Sequence, residues 1–262
     1  MIIKWNEIVD EISKMTFKYD REKKIIYVEM KDKTSYLYKL LKGFTPKLIH
    51  LWKQKYEIDL DFDLMIPNKQ RCRIMGCKES QLVILRNIEQ VDYSYFQYVI
   101  NHKLNVIRNG IGLLEFLGLK PNETPKSNIF FLHDMSKFSR HEWSVYANYF
   151  YNSDGTQKIE SQKVDTPESE QAFNHHYMNN AHHTEYHNKD NILRPMTLFN
   201  IFDMFADWKT MSNFYKNDIY KWYRENESDL KFHHLTKLMV ENLLVKCEDY
   251  YKDKKYIKCN FK

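Results

Sequence analysis

The sequence predicts a mainly α protein, with a helical bundle over about residues 91–262 and a smaller α+β region over residues 1–90. Three observations carry this reading. Six glycines and six prolines in 262 residues are few, which favours helices over a turn-rich β architecture. From about Tyr93 onward apolar residues recur at helical spacing. Before residue 90, β-branched runs that alternate in polarity are mixed with short helical patterns. The chain is 43% hydrophobic and 29% charged, a globular rather than a disordered composition, and its length suits one large domain or two smaller ones.

In chain order, Trp5, Ile8, Val9 and Ile12 mark a short amphipathic helix. The run Lys-Lys-Ile-Ile-Tyr-Val-Glu-Met, which ends at Met30, alternates and is β-branched, as a half-buried strand should be, and Gln81 to Leu85 looks the same. Between them Pro46 to Tyr56 predicts a helix with Leu48, Ile49 and Trp52 on one face, and Asp59 to Asn68 is acidic and then loop-like. A long helix carries His102, Val106, Ile107, Leu113, Leu114 and Leu117 and stops at Gly118 and Pro121. The stretch from Phe130 to Trp143 predicts the next helix. Asn152 to Pro167 is polar and contains Asp154-Gly155, so it belongs on the surface. Helices resume at about Ser169 and at Met196. The last, from about Ser228 to Tyr251, shows a stripe of Leu235, Leu238, Met239, Leu243 and Cys247. No internal repeat interrupts this order.

Forty basic against 35 acidic residues leave a charge of +5. The surplus suits an anionic substrate, but dispersed lysines do not mark a nucleic-acid surface. Cys72, Cys77, Cys247 and Cys259 have neither disulfide-scaffold nor zinc-finger spacing and read as unpaired thiols. The first residues lack a signal-peptide pattern, and no apolar run approaches the roughly 20 residues of a membrane span. These features predict a cytoplasmic protein. Eight arginines and abundant tyrosine and asparagine fit an AT-rich, viral genome and a host cytoplasm.

One stretch asks for a chemical explanation. Phe130-Phe-Leu-His-Asp interrupts an apolar run with two polar side chains that are costly to bury unless something binds them. Three further segments share its character. His102 sits in the long helix, Ala172 to His187 holds five histidines, and Asp203 and Asp207 are four apart among apolar residues. Singly, each has a plain explanation: a satisfied core histidine, a polar surface, an aspartate paired with a lysine of a neighbouring helix. Jointly they are the imidazoles and carboxylates that a borderline divalent cation takes. On a helix, His176, Asn180 and His183 share one face and His175 and His182 another, so the register is open between His182 and His183. A helix break at Asn179-Asn180-Ala181 favours the pair His176 and His183.

The order His102, His133-Asp134, Asp207 resembles the HD-domain metal-dependent phosphohydrolases. Leu132-His-Asp-Met-Ser-Lys137 is similar to their Leu-His-Asp-x-x-Lys form, and Ala206-Asp207 to their closing Ala-Asp segment. The run from His133 to Phe150, the histidine-rich segment and Asp203 to Trp208 look like a branch of bacterial, phage and large-virus proteins. The likeness spans roughly His102 to Met211. It implies an HD-type helical bundle in which His102, His133, Asp134 and Asp207 hold a first divalent metal. His176 with His182 or His183 would hold a second, with Asp134 bridging. One or two ions of Mn, Mg, Fe, Co or Ni are the implied cofactors.

The implied chemistry is hydrolysis of a small-molecule phosphate ester of nucleotide type, as a nucleotidase or phosphodiesterase. Such an ion lowers the pKa of bound water from about 15.7 to about 7–9. Asp134 and Lys137 are the expected catalytic residues, Lys137 one helical turn past His133 and facing the substrate phosphate. Arg140 and Lys209 are further expected phosphate contacts, and Glu142 and Tyr146 are support. The alternatives are a di-iron oxygenase on the same fold and a nucleotide- or metal-binding module without turnover.

Overall fold

A computed structural model of the chain describes residues 10, 13–29, 54, 81–121, 129–252 and 255–262. The apolar residues named above for the first two helices, the segment from Asp59 to Asn68, and Cys72 and Cys77 lie outside the described residues. The elements run β1 (Thr16–Asp20), β2 (Ile25–Glu29), β3 (Gln81–Leu85), α1 (Gln90–Phe116), α2 (Ile129–Leu132), α3 (Trp143–Phe150) and α4 (Pro167–Asn179). After these come β4 (Asn188–Lys189), β5 (Ile192–Leu193), α5 (Leu198–Tyr215), α6 (Ile219–Asn226), α7 (His234–Lys246), α8 (Glu248–Tyr251) and β6 (Asn260–Phe261). The protein is mainly helical with a small sheet toward its N-terminal side, as the periodicities predict. No helix among the described residues is long and apolar enough to cross a membrane.

The chain forms two compact units. One gathers residues from Asp10 to Asn101, Met135–Phe173 and Lys258–Lys262. Its sheet has the order β3-β2-β1-β6. Strands β1 and β2 form an antiparallel hairpin with Phe17 opposite Val28, closed by Lys24 at φ 50°. β1 went unread in the sequence because Phe17 is its one fully buried side chain, too little to show a period. The first half of α1 buries Tyr93, Tyr95, Phe96 and Val99. Phe96 meets Phe17 edge-on at 5.6 Å, and Tyr93 stacks on Tyr19 at 4.8 Å. Trp143, opening α3, donates its indole N–H to Asp92 at 2.8 Å and packs edge-on against Tyr95.

The other unit contains His102–Asp134 and Asn174–Ile257. Its core joins Val106, Leu113 and Leu114 of α1 to Ile201 and Phe205 of α5 and to Val240 and Leu244 of α7. Asn109 of α1 donates to the Thr210 hydroxyl of α5 at 2.9 Å, a buried cross-link between the two longest helices. Gly110 is required where it stands. A Cβ there would lie 2.4 Å from the Phe130 ring, so glycine is what lets α2 rest directly on α1.

Two expectations are corrected. The helix expected from Ser228 starts at His234 and ends at Lys246, and its buried face is Thr236, Val240 and Leu244. Leu235 and Leu238 are 48% and 57% exposed. Of the expected stripe, Cys247 is buried and Met239 and Leu243 pack partly buried against the core, while the Thr236 hydroxyl accepts the Met196 N–H at 2.9 Å on the inner face. α6, capped by Asp218 accepting from Lys221 N–H, was not foreseen. The single helix expected from Phe130 to Trp143 is instead α2, a 3-10 turn over Met135–Phe138, and α3. The break is at Asp134, which adopts the left-handed conformation at φ 55°.

Candidate metal centre

That break explains how two adjacent side chains reach one point. Neighbouring residues of a helix point about 100° apart. With Asp134 left-handed, His133 and Asp134 leave the end of α2 toward the same centre. Lys103 of α1 holds the turn by donating its ammonium to the carbonyls of Phe131 and His133, which have no partner within the short helix. An aspartate tolerates this conformation better than most residues, and its cost of order 1–3 kcal/mol points to function rather than stability.

Around Asp134 the donors form two groups. Asp134 Oδ2 lies 3.4 Å from His102 Nε2 and 3.3 Å from His133 Nε2. His102 Nε2 is 3.1 Å from His133 Nε2 and 3.2 Å from Asp207 Oδ1. On the other side, Asp134 Oδ1 lies 3.4 Å from His176 Nε2 and 3.6 Å from His182 Nε2. His183 Nε2 completes this group, 3.1 Å from His176 Nε2. Ligands about 2.0–2.2 Å from one ion lie about 3–3.5 Å from each other, so both groups have the spacing of shared coordination. The donor chemistry fits too. Two imidazole nitrogens 3.1 Å apart cannot both present a lone pair without something between them, and His182 Nε2 is buried with no hydrogen-bond partner.

Asp203 stands behind the donors; in the sequence it was named beside Asp207 but given no place in the site, and its plain alternative, pairing with a lysine, is not what its carboxylate faces. Its carboxylate lies 3.2 Å from His133 Nδ1 and 3.3 Å from His182 Nδ1. One carboxylate therefore turns one imidazole of each group, leaving both Nε2 atoms for an ion. Its spacing of four from Asp207 in an apolar helix was the signal available. The Asn180 amide nitrogen donates to the His176 carbonyl at 2.8 Å and lies 3.2 Å from His176 Nδ1, so it braces the end of α4. His187 instead meets the Ala181 carbonyl at 2.8 Å and braces the turn after α4.

Electrostatics point the same way. His102, His133, Asp134, His176, His182 and Asp203 are each at most 6% exposed. Burial alone would push His133 down, but Asp134 and Asp203 outweigh it and raise it to about 10. Burial would likewise raise Asp203, yet His133 and His182 hold it down to about 2. His183 is driven well below its ordinary value by burial and by His182 and His176, so it stays a neutral donor. Three carboxylates gathered in a dry site call for positive charge, which a dication supplies.

The structure thus brings together His102, His133, Asp134, His176, His182, His183 and Asp207, and it uses both His182 and His183 where the helical register left a choice. Helix α4 ends at Asn179, so no single helical face governs them. The expected phosphate contacts are placed differently. Lys137 is not one helical turn past His133, because α2 has ended; its ammonium lies 5.5 Å from the Tyr98 ring centre. Arg140 is exposed and donates to His141 at 3.4 Å. Lys209 is buried and bound to the Tyr250 carbonyl and ring face. Glu142 is buried at the start of α3, and Tyr146 donates to the Ala172 carbonyl at 3.2 Å.

Beside the donors a cavity of about 360 Å³ opens, with His182, His183 and Asp207 in its wall. In comparisons with known proteins, a family model described as a family of unknown function (DUF5662) matches residues 91–246, a span that includes every donor named above. No curated protein and no solved structure matches.

Proposed function

We propose that this chain, which belongs to the family of unknown function DUF5662, is a metal-dependent phosphohydrolase that cleaves a small nucleotide-type phosphate ester. The observation that carries the reading is Asp134, whose two oxygens face two separate histidine groups, as a carboxylate shared between two ions would. His102, His133, Asp134 and Asp207 would hold one divalent ion, and Asp134, His176, His182 and His183 the other. When bound, such ions supply Lewis acidity toward a phosphoryl oxygen and activate water near neutral pH.

The chain's own contribution is placement. Asp203 fixes the rings of His133 and His182, and the left-handed turn aims Asp134. Burial excludes bulk water from all but the side of the cavity, where Asp207 and His183 are partly exposed. In the net reaction a water oxygen bonds to phosphorus, the ester P–O bond breaks, and the departing alcohol keeps its oxygen and gains a proton from the water.

Metal analysis of protein purified without an affinity tag, followed by phosphate release from a nucleotide panel with Mn, Mg, Co, Ni or Fe, tests the reading. Asp134→Ala should lose both metal content and activity while its circular dichroism stays that of the parent. Full metal content and activity in that variant would refute the assignment. Five imidazoles against two carboxylates at the donor positions favour iron-dependent oxidation as the second reading. Oxygen consumption with a bound iron pair, and no phosphate release, would select it.

A further inference from the structure

The cavity beside the metal centre has a composition that a phosphate-binding cleft would not have. Among the described residues that line it there is no lysine and no arginine. Its charged groups are donors of the metal centre and Glu185, which accepts from the Thr184 hydroxyl at 3.1 Å and is exposed. The rest is largely aromatic and apolar. Trp208 of α5 and Trp222 of α6 meet edge-on with ring centres 5.1 Å apart, and Tyr177, Met204 and Met211 continue the surface. Trp208 directly follows Asp207, so the aromatic wall begins one residue from a metal donor.

We infer that the cavity receives the ring-bearing, uncharged leaving group of a phosphate monoester that carries a single phosphate. Two physical arguments meet in this. Trp208 and Trp222 line the cavity from two helices and offer aromatic surface to a flat ring, and base-on-aromatic stacking is worth about 1–3 kcal/mol per base. A chain of further phosphates would meet no cation among the described lining residues and would be opposed by Glu185, an uncompensated burial of charge. Among the described residues the positive charge at the cavity would come from the bound metals, and they would suffice for a terminal phosphate. The cavity's size, within the roughly 300–1,000 Å³ usual for small-molecule sites, accommodates a nucleoside. The single-phosphate element depends on the phosphohydrolase reading above; the ring pocket does not.

The test combines turnover with phosphate-free binding. Phosphate release from adenosine monophosphate, adenosine triphosphate and glycerol phosphate is measured with the metal-loaded protein and with Trp222→Leu. Adenosine alone is titrated by tryptophan fluorescence against the same two proteins. The expected results are a kcat/KM for the monophosphate at least about 100-fold above the triphosphate and about tenfold above glycerol phosphate. Trp222→Leu should collapse the second ratio and abolish the adenosine-induced fluorescence change. Equal use of the triphosphate overturns the single-phosphate inference, and a monophosphate preference untouched by Trp222→Leu overturns the ring pocket. Adenosine binding without cleavage of any ester keeps the pocket and sinks the phosphohydrolase reading and the single-phosphate inference resting on it. Neither binding nor cleavage sinks both.

Discussion

Replacing Asp203 by asparagine tests the centre through a residue that need not touch an ion. The substitution keeps size and shape in a site that is 3% exposed, so it leaves no cavity. It changes what the side chain can accept. The carboxylate faces His133 Nδ1, at 3.2 Å, and His182 Nδ1, at 3.3 Å, and can accept an N–H from each. An amide has one oxygen and one NH₂, so one of the two rings must now face a donor. That ring places its proton on Nε2 and withdraws a lone pair from the metal side. Removing such a supporting partner typically costs 10–100-fold in metal affinity, about 1.4–2.8 kcal/mol. Because Asp203 serves one ring in each group, both sites should weaken, with the site whose ring flips at the upper end. Competition for Mn or Zn against a chromophoric chelator gives both affinities, and circular dichroism confirms the fold. If Asp203→Asn retains the parent's stoichiometry and both affinities within about threefold, the clamp has been misread.

Two further outcomes follow from the same geometry. Gly110→Ala places a Cβ 2.4 Å from the Phe130 ring, so α2 must shift or the ring must leave its place; overpacking of this kind costs about 1–3 kcal/mol, read as a lower Tm, and an unchanged Tm would mean that the α1–α2 contact is looser than described. His133 gives a pH dependence with a definite sign. Its folded value, about 10, lies above the ordinary 6.5, so its contribution to the metal-free protein is fully present below about pH 6.5 and fades as pH rises through 10. An ion must displace that proton, so metal affinity should climb between pH 7 and 10, about tenfold per unit for one proton released. A flat affinity across that range, or a metal-free Tm that does not fall from pH 6.5 to 10, would refute the assignment.

Much of the fold was legible because it rests on local periodicity. α1 follows from His102, Val106, Ile107, Leu113 and Leu114, and its end from Gly118, whose φ of +75° only glycine adopts freely. β2 and β3 follow from their β-branched runs. The chemical identity of the donors was legible for a different reason. Imidazoles and carboxylates inside apolar segments are costly without a ligand, and that cost can be read residue by residue. Failures came where a long-range contact overrode a local pattern. On α7 the expected stripe holds at Met239, Leu243 and Cys247, but Leu235 and Leu238 face out and Thr236, which meets Met196 forty residues away in the chain, faces in with Val240 and Leu244.

By itself, then, the sequence determined which side chains could bind a divalent ion and which segments would be helical, since both depend on residue type and near neighbours. Tertiary structure alone decided what those side chains do. The left-handed turn at Asp134 ended α2, aimed His133 and Asp134 at one centre, and removed Lys137 from the helical position expected of it. The ending of α4 at Asn179 let His182 and His183 serve together rather than compete for one face. Asp203 can act as a clamp because His133 and His182, 49 residues apart in the chain, lie ring against ring at 4.2 Å and present both Nδ1 atoms to its carboxylate. Each is set by the direction of a side chain across a gap between helices, and spacing along the chain carries no information about that direction.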